Sequence, residues 1–213
     1  MSTDFKNKYN FLNDDFWQDF IVKNYKNPLD KLLFSLNQKL EVDSGILANQ
    51  LKARQIIETK IPSWQNHKNL IFPKQLSIEQ SSSENTALYK SKICSGESCI
   101  DLTGGLGIDS FFISKSFKNT IHCEKDLEHQ FIAQHNFKCL QAKVESHFTD
   151  GIEYLKHTNQ SFDLIYVDPT RRNENNTKVV KLEQYTPNII LHLNLLLDKG
   201  KKILVKTSPL LDI

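Results

Sequence analysis

The stretch Asp101-Leu-Thr-Gly-Gly-Leu-Gly-Ile-Asp109 decides the fold of this chain. Ser98-Cys99-Ile100 leads into it and the apolar run Phe111-Phe112-Ile113 follows it, which predicts a strand, a glycine turn and a helix in that order. Glycine allows the backbone to pass close to a ligand and to adopt φ values that a Cβ atom resists. The N-terminus of the following helix offers free N–H groups to an acidic or polar ligand group.

From residue 98 onward, short apolar runs alternate with helical segments. Such alternation is typical of parallel βαβ units, whose right-handed crossovers give a doubly wound sheet. We therefore predict an α/β fold with a Rossmann-like, mostly parallel sheet and a ligand crevice at the carboxyl ends of its strands. The predicted strands are 98–103, 119–124, 143–148, 162–167 and 201–207, and the predicted helices are 107–117, 126–140, 150–157 and 181–198.

The first part of the chain lacks alternating strand patterns. Residues 1–60 predict a small helical N-terminal domain, with an apolar helix face around residues 29–40 and a third helix over about 44–60. Residues 61–97 predict an extended linker, followed by a helix that Ser81-Ser-Ser-Glu84 caps. Residues 98–213 then form the domain with the sheet.

The bulk composition sets limits on function. The chain has 213 residues, of which 39% are hydrophobic and 24% are charged, as in ordinary soluble globular proteins. A net charge of +2 indicates no strong field for nucleic acid, so any RNA binding is expected to be local or assisted. No apolar run approaches the ~20 residues of a membrane span, and the N-terminus lacks a signal-peptide core, so no membrane partner is expected.

The four cysteines, Cys94, Cys99, Cys123 and Cys139, form no CxxC pair. Three of them lie in or beside apolar segments, so buried free thiols are favoured over zinc ligands or disulfides. This usage indicates a reduced, cytoplasmic location. The seven histidines show no HxxxH spacing with a carboxylate partner, so no metal site is predicted.

Acidic residues follow predicted strands and should meet at one edge of the sheet. Asp101 precedes glycines at 104, 105 and 107, and a carboxylate there would repel the pyrophosphate of a dinucleotide. The carboxylate instead suits a cofactor with a cationic amino group. S-adenosyl-L-methionine (SAM) carries an ammonium, a carboxylate and a sulfonium, and it fits. The alternative is a tight structural turn without a ligand.

Two further acids each have a functional and a structural interpretation. The Glu124 carboxylate would accept hydrogen bonds from ribose hydroxyls, since an ionised carboxylate is only an acceptor, or it is a surface acid after a strand. Asp150 would accept from an adenine amino group, and it equally fits the N-cap of the next helix. Both acids are therefore candidates for holding an adenosine group.

A second motif, Asp168-Pro-Thr-Arg-Arg172, follows the predicted strand 162–167. The proline stiffens the turn, and the arginines suit phosphate or carboxylate groups and stacking on a base. The alternative is a charged surface turn in which backbone N–H groups satisfy Asp168. Lys206, at the end of the last predicted strand, could reach a substrate phosphate or remain solvated.

With these motifs, residues 75–213 resemble the class I SAM-dependent methyltransferases. Asp101-x-Thr-Gly-Gly-x-Gly is similar to the first motif of that family, and Asp168-Pro-Thr-Arg to the fourth. Glu124 matches the acid that holds the ribose, and Asp150 matches the acid near adenine. The resemblance implies SAM as the cofactor and a Rossmann-like fold.

A narrower resemblance extends from about residue 45 to the end of the chain. It is to a bacterial group of candidate RNA methyltransferases that carry a THUMP-like domain after the methyltransferase domain. Beyond the motifs already quoted, it rests on Pro62-Ser-Trp64, Leu76-Ser-x-Glu-Gln-Ser-Ser82 and Val205-Lys-x-Ser-Pro-x-Leu-Asp212. It implies an RNA substrate.

The chain departs from related families in its fourth motif and in its strand count. Amino-group methyltransferases carry Asn/Asp-Pro-Pro-Tyr/Phe, whose aromatic ring stacks on the flipped base; here stacking would fall to Arg171 or another residue. RNA 5-methyluridine methyltransferases carry Asp-Pro-Pro-Arg but need a catalytic cysteine, and none lies beyond Cys139. Five strands are predicted where the family has seven, so a homodimer or a further C-terminal domain is expected to cover the open edge.

The residues and the resemblance together predict a SAM-dependent methyltransferase that acts on RNA, either tRNA or rRNA. An exocyclic amine such as guanine N2 is the favoured acceptor, with Asp168, Pro169 and Arg171 as the catalytic residues. Two alternatives stay open: a non-catalytic SAM-binding or scaffold module, and a methyltransferase of a protein or a small molecule. Ten residues are predicted to bind the cofactor: Ser82, Thr86, Asp101, Thr103, Gly104, Gly105, Gly107, Glu124, Asp150 and Gly151. Of these, Ser82 and Thr86 would close over the methionine end of SAM.

Overall fold

The computed structural model describes residues 2–29, 32, 42–170 and 181–207. Most of the helix predicted around residues 29–40 lies outside this part of the chain, and so does Arg171. None of the described helices combines the length and the apolarity that crossing a membrane requires.

Short polar side chains mark where helices of the N-terminal part begin. The Asp14 carboxylate accepts a hydrogen bond from the Phe16 N–H at 2.8 Å, and the Asp43 carboxylate accepts from the Gly45 N–H at 2.8 Å. Such caps satisfy N–H groups that the first helical turn leaves without partners. The helices described before the sheet are α1 (Ser2–Tyr9), α2 (Asp15–Asn24), α3 (Ser44–Lys60), α4 (Gln75–Gln80) and α5 (Glu84–Ile93).

Two predictions for this region are confirmed. The third predicted helix, 44–60, has the bounds of α3. The predicted cap before the sheet is Ser83, whose hydroxyl accepts from the Thr86 N–H at 3.4 Å on the first turn of α5. The polar run therefore begins a helix that leads directly into the first strand.

Five parallel strands form the sheet: β1 (Gly96–Asp101), β2 (Phe117–Glu124), β3 (Val144–Phe148), β4 (Leu164–Val167) and β5 (Ile203–Val205). Their order, β3-β2-β1-β4-β5, confirms the predicted doubly wound topology. The chain moves outward from β1 to β3 and then crosses back to place β4 on the other side of β1. The loops after β1 and β4 therefore diverge, and this switch point is where open α/β sheets bind ligands.

Helices cover both faces of the sheet and bury its apolar side chains. On one face lie α6 (Ile108–Ile113) and α7 (Leu127–Cys139), which share an apolar cluster with Trp64 and residues of α3. On the other face, α8 (Gly151–His157) and α9 (Leu193–Lys199) cover Ile100 and Ile165. Removal of this apolar surface from water is the main force that holds the layers together.

The α-helix predicted over 181–198 was wrong over residues 181–192, of which Leu182–Gln184 form only a short 3-10 turn. Thr170 and Thr186 form an antiparallel bridge, in which the N–H of each donates to the carbonyl of the other at 2.8 and 3.1 Å. Pro187 follows and has no N–H to donate within a helix. The helix consequently begins only at Leu193. The bridge brings Thr186 and Pro187 to the carboxyl end of β4.

Two buried amide side chains fasten the extended backbone of Ile71 and Phe72. Gln50 of α3 accepts from the Phe72 N–H at 3.0 Å and donates to the Phe72 carbonyl at 2.7 Å. Asn136 of α7 accepts from the Ile71 N–H at 3.0 Å and donates to its carbonyl at 2.9 Å. Each amide thus satisfies backbone groups that burial would otherwise leave unpaired. The N-terminal helices are thereby joined to a helix that covers the sheet.

Candidate functional site

Residues 102–107 form the loop that joins β1 to α6, and three positions in this loop need glycine, for two different reasons. Gly105 and Gly107 have φ values of +54° and +75°, in the left-handed region that a Cβ atom disfavours. Gly104 is needed for space, because a Cβ atom there would lie 2.2 Å from the ring of His122. The glycine turn predicted from the sequence is therefore confirmed.

Asp101 ends β1 and is almost completely buried, with 1% of its surface exposed. Its carboxylate accepts hydrogen bonds from the Thr103 N–H at 3.0 Å and from the Ser110 hydroxyl at 2.6 Å. Burial raises the pKa of Asp101 to about 7, although these two hydrogen bonds act in the opposite direction. A cationic ligand group beside Asp101 would favour its ionised form, so its charge is coupled to what binds.

Glu124 and Asp150 end neighbouring strands and use their carboxylates differently. Glu124 accepts from the Gly105 N–H at 2.7 Å with one oxygen and from the Asp126 N–H at 2.6 Å with the other. Asp150 caps α8, because its Oδ1 accepts from the Ile152 N–H at 2.9 Å. Glu124 is thus tied to the glycine loop, and Asp150 has the capping role that was its structural alternative.

Asp168 follows β4 and is held at two points. Its N–H donates to the Thr103 hydroxyl at 2.7 Å, which ties the second motif to the glycine loop. Its Oδ2 accepts from the Lys206 ammonium at 2.6 Å, and the exposed fractions of these two side chains are 35% and 30%. The carboxylate is therefore paired with a lysine at the mouth of the site.

Ser82 connects that ion pair to a second, buried one. Lys90 and Asp109 pair at 2.5 Å, with 7% and 10% of their side chains exposed. The Ser82 hydroxyl accepts from Lys90 at 3.0 Å and from Lys206 at 3.2 Å, and it donates to Asp109 at 2.7 Å. These three bonds use the full capacity of a hydroxyl. Tyr166 completes the network by donating to Asp109 at 2.7 Å and accepting from Lys90 at 3.0 Å.

Sequence reasoning missed Lys90, Asp109 and Tyr166, although each left a signal. Lys90 lies three positions after the buried Ala87, on the face of α5 that packs inward. Asp109 ends the glycine stretch itself, and Tyr166 carries a hydroxyl into an otherwise apolar strand. A buried cation, anion and phenol of this kind need one another as partners.

His122 also escaped notice, and it supports the glycine loop from the sheet side. Its Nε2 lies 3.3 Å from the Gly105 carbonyl and donates to it, while Nδ1 accepts from the Ser146 hydroxyl at 3.0 Å. Burial lowers the pKa of His122 to about 4, so the ring is neutral near pH 7. This histidine therefore acts as a neutral brace.

Two cavities open at the carboxyl edge of the sheet, with volumes of about 530 and 200 Å³. Thr103 and Asp168 line both of them, so the cavities adjoin at the switch point between β1 and β4. The predicted residues that line the larger cavity are Thr103, Glu124, Asp150, Gly151 and Asp168. Those that line the smaller cavity are Ser82, Asp101, Thr103, Gly104, Gly105 and Asp168.

Three of the predicted residues that the structure describes are not brought to these cavities. Thr86 is exposed, and its hydroxyl lies 2.9 Å from the hydroxyl of Ser83. Its position on the first turn of α5 explains this, because there it takes part in the cap. Gly107 and the buried Pro169 belong to the two motifs but line neither cavity. Arg171 lies outside the described residues.

Comparison with solved structures identifies the fold. The crystal structure of a candidate methyltransferase from Porphyromonas gingivalis W83 matches with a TM-score of 0.76 and 29% sequence identity. The chain has the fold of class I methyltransferases. The match covers 92% of this chain and 49% of the other, so this chain spans about half the length of that methyltransferase.

A second solved structure has a fold similar to that of this chain. It is precorrin 8w decarboxylase from Methanobacterium thermoautotrophicum, with a TM-score of 0.50 and 14% identity, over 65% of this chain and 70% of that chain. At this identity the likeness concerns the fold alone. No protein-family model and no curated protein matches the sequence.

The methyltransferase fold implies SAM as the cofactor, as the sequence predicted, and the residues at the site fit that group. The ribose hydroxyls, the adenine amino group and the ammonium of SAM are hydrogen-bond donors, and the carboxylates of Glu124, Asp150 and Asp101 are acceptors that would suit them. Backbone lies open to the cavity at Gly105, where the nearest atom to an added Cβ is 4.0 Å away. The volume of the larger cavity, about 530 Å³, is also in the range of small-molecule sites.

Proposed function

We propose that this chain is a SAM-dependent methyltransferase that acts on RNA, with an exocyclic amine such as guanine N2 as the acceptor. The observation that carries the proposal is the pair of cavities that share Thr103 and Asp168 at the switch point of a methyltransferase fold. The larger cavity suits the nucleoside half of the cofactor and the smaller one its amino-acid half. Asp168 then stands beside the reacting centre.

In this proposal, hydrogen-bond acceptors hold the cofactor. Each oxygen of Glu124 already accepts one backbone N–H and can accept a second bond, here from a ribose hydroxyl. Asp150 caps α8 through Oδ1, so its Oδ2 accepts from the adenine amino group. Asp101 faces the ammonium from the smaller cavity. When bound, SAM supplies a methyl group activated by a sulfonium.

The second motif receives the acceptor. The Asp168 carboxylate and the Pro169 carbonyl accept hydrogen bonds from the N–H groups of the acceptor amine, and Arg171 positions a base or a phosphate. The proton that the nitrogen loses on methylation passes to the Asp168 carboxylate. The chemistry is mostly proximity and alignment for in-line attack on the methyl group. The resemblance to candidate RNA methyltransferases supports RNA as substrate. A net charge of only +2 favours help from a further domain such as the expected THUMP-like one.

The open edge of the sheet bears on the proposed partners. In the described part of the chain β5 pairs with β4 alone, and Leu193 and Leu197 of α9 are exposed nearby. An unpaired edge strand with apolar neighbours is a ready surface for pairing. A homodimer or a further domain that covers this edge therefore remains part of the proposal.

Transfer of tritium from labelled SAM to total cellular RNA tests the proposed function. Label that ribonuclease releases would support an RNA methyltransferase, and digestion to nucleosides would identify the acceptor atom. Preferential label in a protein or metabolite fraction would replace RNA with another acceptor class. SAM binding without turnover on any of these fractions would favour the scaffold alternative.

Affinity for SAM is expected to rise between about pH 5.5 and about pH 7.5. Because the pKa of Asp101 is raised to about 7, the carboxyl is mostly protonated below that pH and cannot offset the ammonium. The affinity should fall by up to about tenfold for each pH unit below the pKa. Calorimetric titration at several pH values measures this dependence. The Asp101→Asn variant is expected to bind SAM more weakly than the wild type at about pH 7.5 and to lose the pH dependence of the affinity. An equally steep pH profile in the variant would contradict the prediction.

A further inference from the structure

The ion pair between Asp168 and Lys206 lies at the junction of the two cavities. Asp168 lines both cavities, and its Oδ2 accepts from the Lys206 ammonium at 2.6 Å. In SAM the sulfonium joins the nucleoside half to the amino-acid half. If the proposed function holds, the sulfonium therefore lies at this junction, and Asp168 is the carboxylate that faces it.

An unpaired carboxylate at this point would have two opposed effects. It would attract the sulfonium and tighten the binding of SAM. Methyl transfer, however, removes the positive charge from sulfur, so this attraction weakens before the product forms. Stabilisation of the ground state that is lost in the transition state slows a reaction. A cation paired with the carboxylate reduces this cost and leaves the carboxylate oxygens in place.

We propose that Lys206 is the positioning residue that sets the charge of the transfer site by acting through Asp168. The proposal rests on the proposed function above. Lys206 engages Oδ2 and offsets the attraction between the carboxylate and the sulfonium, while Oδ1 is the oxygen offered to the acceptor. The sequence carries Lys206 directly after β5, where the strand end places its side chain beside the end of β4.

The position of Lys206 is itself built into the protein. Its ammonium also donates to the Ser82 hydroxyl at 3.2 Å, and Ser82 is fixed by the buried pair Lys90 and Asp109. The lysine therefore bridges the segment before α5 and the turn after β4. Isolated surface ion pairs contribute little to stability or geometry. This pair differs from them because a buried network holds the ammonium in place.

The demethylated product, S-adenosylhomocysteine (SAH), isolates the effect of charge. SAH fills the same cavities as SAM but lacks the methyl group and the sulfonium charge. A packing defect should weaken both ligands alike, whereas a change in charge beside the sulfonium should change their ratio. The preference for SAM over SAH, measured as a ratio of Kd values by calorimetric titration of the full chain, is therefore the decisive quantity.

Lys206→Met is expected to raise the preference for SAM over SAH by about fivefold to tenfold, because it leaves the Asp168 carboxylate unpaired. Lys206→Arg keeps the cation and should stay within about twofold of the wild type. Asp168→Asn should shift the preference in the opposite direction from Lys206→Met. The matched control is Lys118→Met, which breaks an exposed pair with Glu97 far from the cavities and should leave the ratio unchanged.

The outcomes separate this inference from the proposed function. A Lys206→Met variant that binds both ligands more weakly, with the wild-type ratio, would assign Lys206 a structural role and overturn the inference alone. Wild-type protein that binds neither ligand would overturn the proposed function and this inference together. If thermal melting shows that the Lys206→Met variant does not fold, Lys206→Gln provides a second neutral side chain. A wild-type ratio of the Kd values for SAM and SAH in the Lys206→Gln variant would then overturn the inference.

Discussion

Replacement of Gly151 by alanine is expected to abolish SAM binding and to destabilise the protein by about 3 kcal/mol. A Cβ atom on Gly151 would lie 2.3 Å from the carbonyl oxygen of Leu102 and 2.5 Å from its Cα atom. These are backbone atoms at the start of the glycine loop, and unlike the tip of a side chain they cannot rotate away. The N-terminus of α8 would have to move away from β1, which would separate Asp150 from Thr103 across the larger cavity.

Gly105→Ala is the matched control for this prediction. The nearest atom to a Cβ on Gly105 is the Thr103 carbonyl oxygen at 4.0 Å, so the only cost is backbone strain at a φ of +54°, about 1 to 2 kcal/mol. Urea unfolding followed by circular dichroism gives both free energies of unfolding. If Gly151→Ala proved as stable as Gly105→Ala, the contact between α8 and the glycine loop would not be as tight as the structure has it.

The sheet could be predicted because parallel strands covered on both faces appear as short apolar runs. The predicted run 119–124 corresponds to the C-terminal part of β2, and the run 162–167 contains the whole of β4. The segments between the predicted strands were long enough to form helices. The bounds of the first strand differ from the predicted 98–103 by two residues at each end. β1 begins at Gly96 and not at Ser98, because the Asp163 carboxylate accepts from the Glu97 and Ser98 N–H groups and holds the strand start.

The acids of the site could be predicted because their position depends only on where strands end. Asp101, Glu124, Asp150 and Asp168 follow four strands whose carboxyl ends meet at one edge, and all four line the two cavities. Their roles in cofactor and acceptor binding remain proposals. The position of each acid follows from the strand pattern alone, whereas its hydrogen-bond partners depend on how the helices and strands pack against one another.

The network around Ser82 shows what the sequence pattern could not predict. Ser82 was expected to close over the methionine end of the cofactor, and it does line the smaller cavity. Its hydroxyl, however, is fully engaged by Lys90, Lys206 and Asp109, which come from three separate elements. The periodicity of apolar residues in the sequence indicates which face of a helix is buried, but it does not indicate which polar side chains contact one another in the protein interior. The same limit explains the missed bridge between Thr170 and Thr186, since a pairing across sixteen positions leaves no local signal.

Glu124→Ala is expected to weaken SAM binding by about 100-fold. The substitution removes two acceptors for ribose hydroxyls, each bond to a charged group contributing about 1.5 kcal/mol. It also frees the Gly105 N–H, which Glu124 now holds at 2.7 Å, so the glycine loop loses part of its support. Glu124→Gln keeps one oxygen and should retain part of the affinity. Calorimetric titration with SAM measures the loss, with NAD as a ligand that should not bind.

Glu153→Ala is the control that separates geometry from charge. Glu153 lines the same cavity, but its side chain is 53% exposed and pairs with Lys156 at 2.7 Å on the surface of α8. Both substitutions remove one negative charge from the cavity, whereas only Glu124 contacts the glycine loop. The Glu153 variant should therefore bind SAM within about twofold of the wild type. Equal losses in both variants would mean that the net charge of the cavity, rather than the position of the Glu124 carboxylate, determines cofactor affinity.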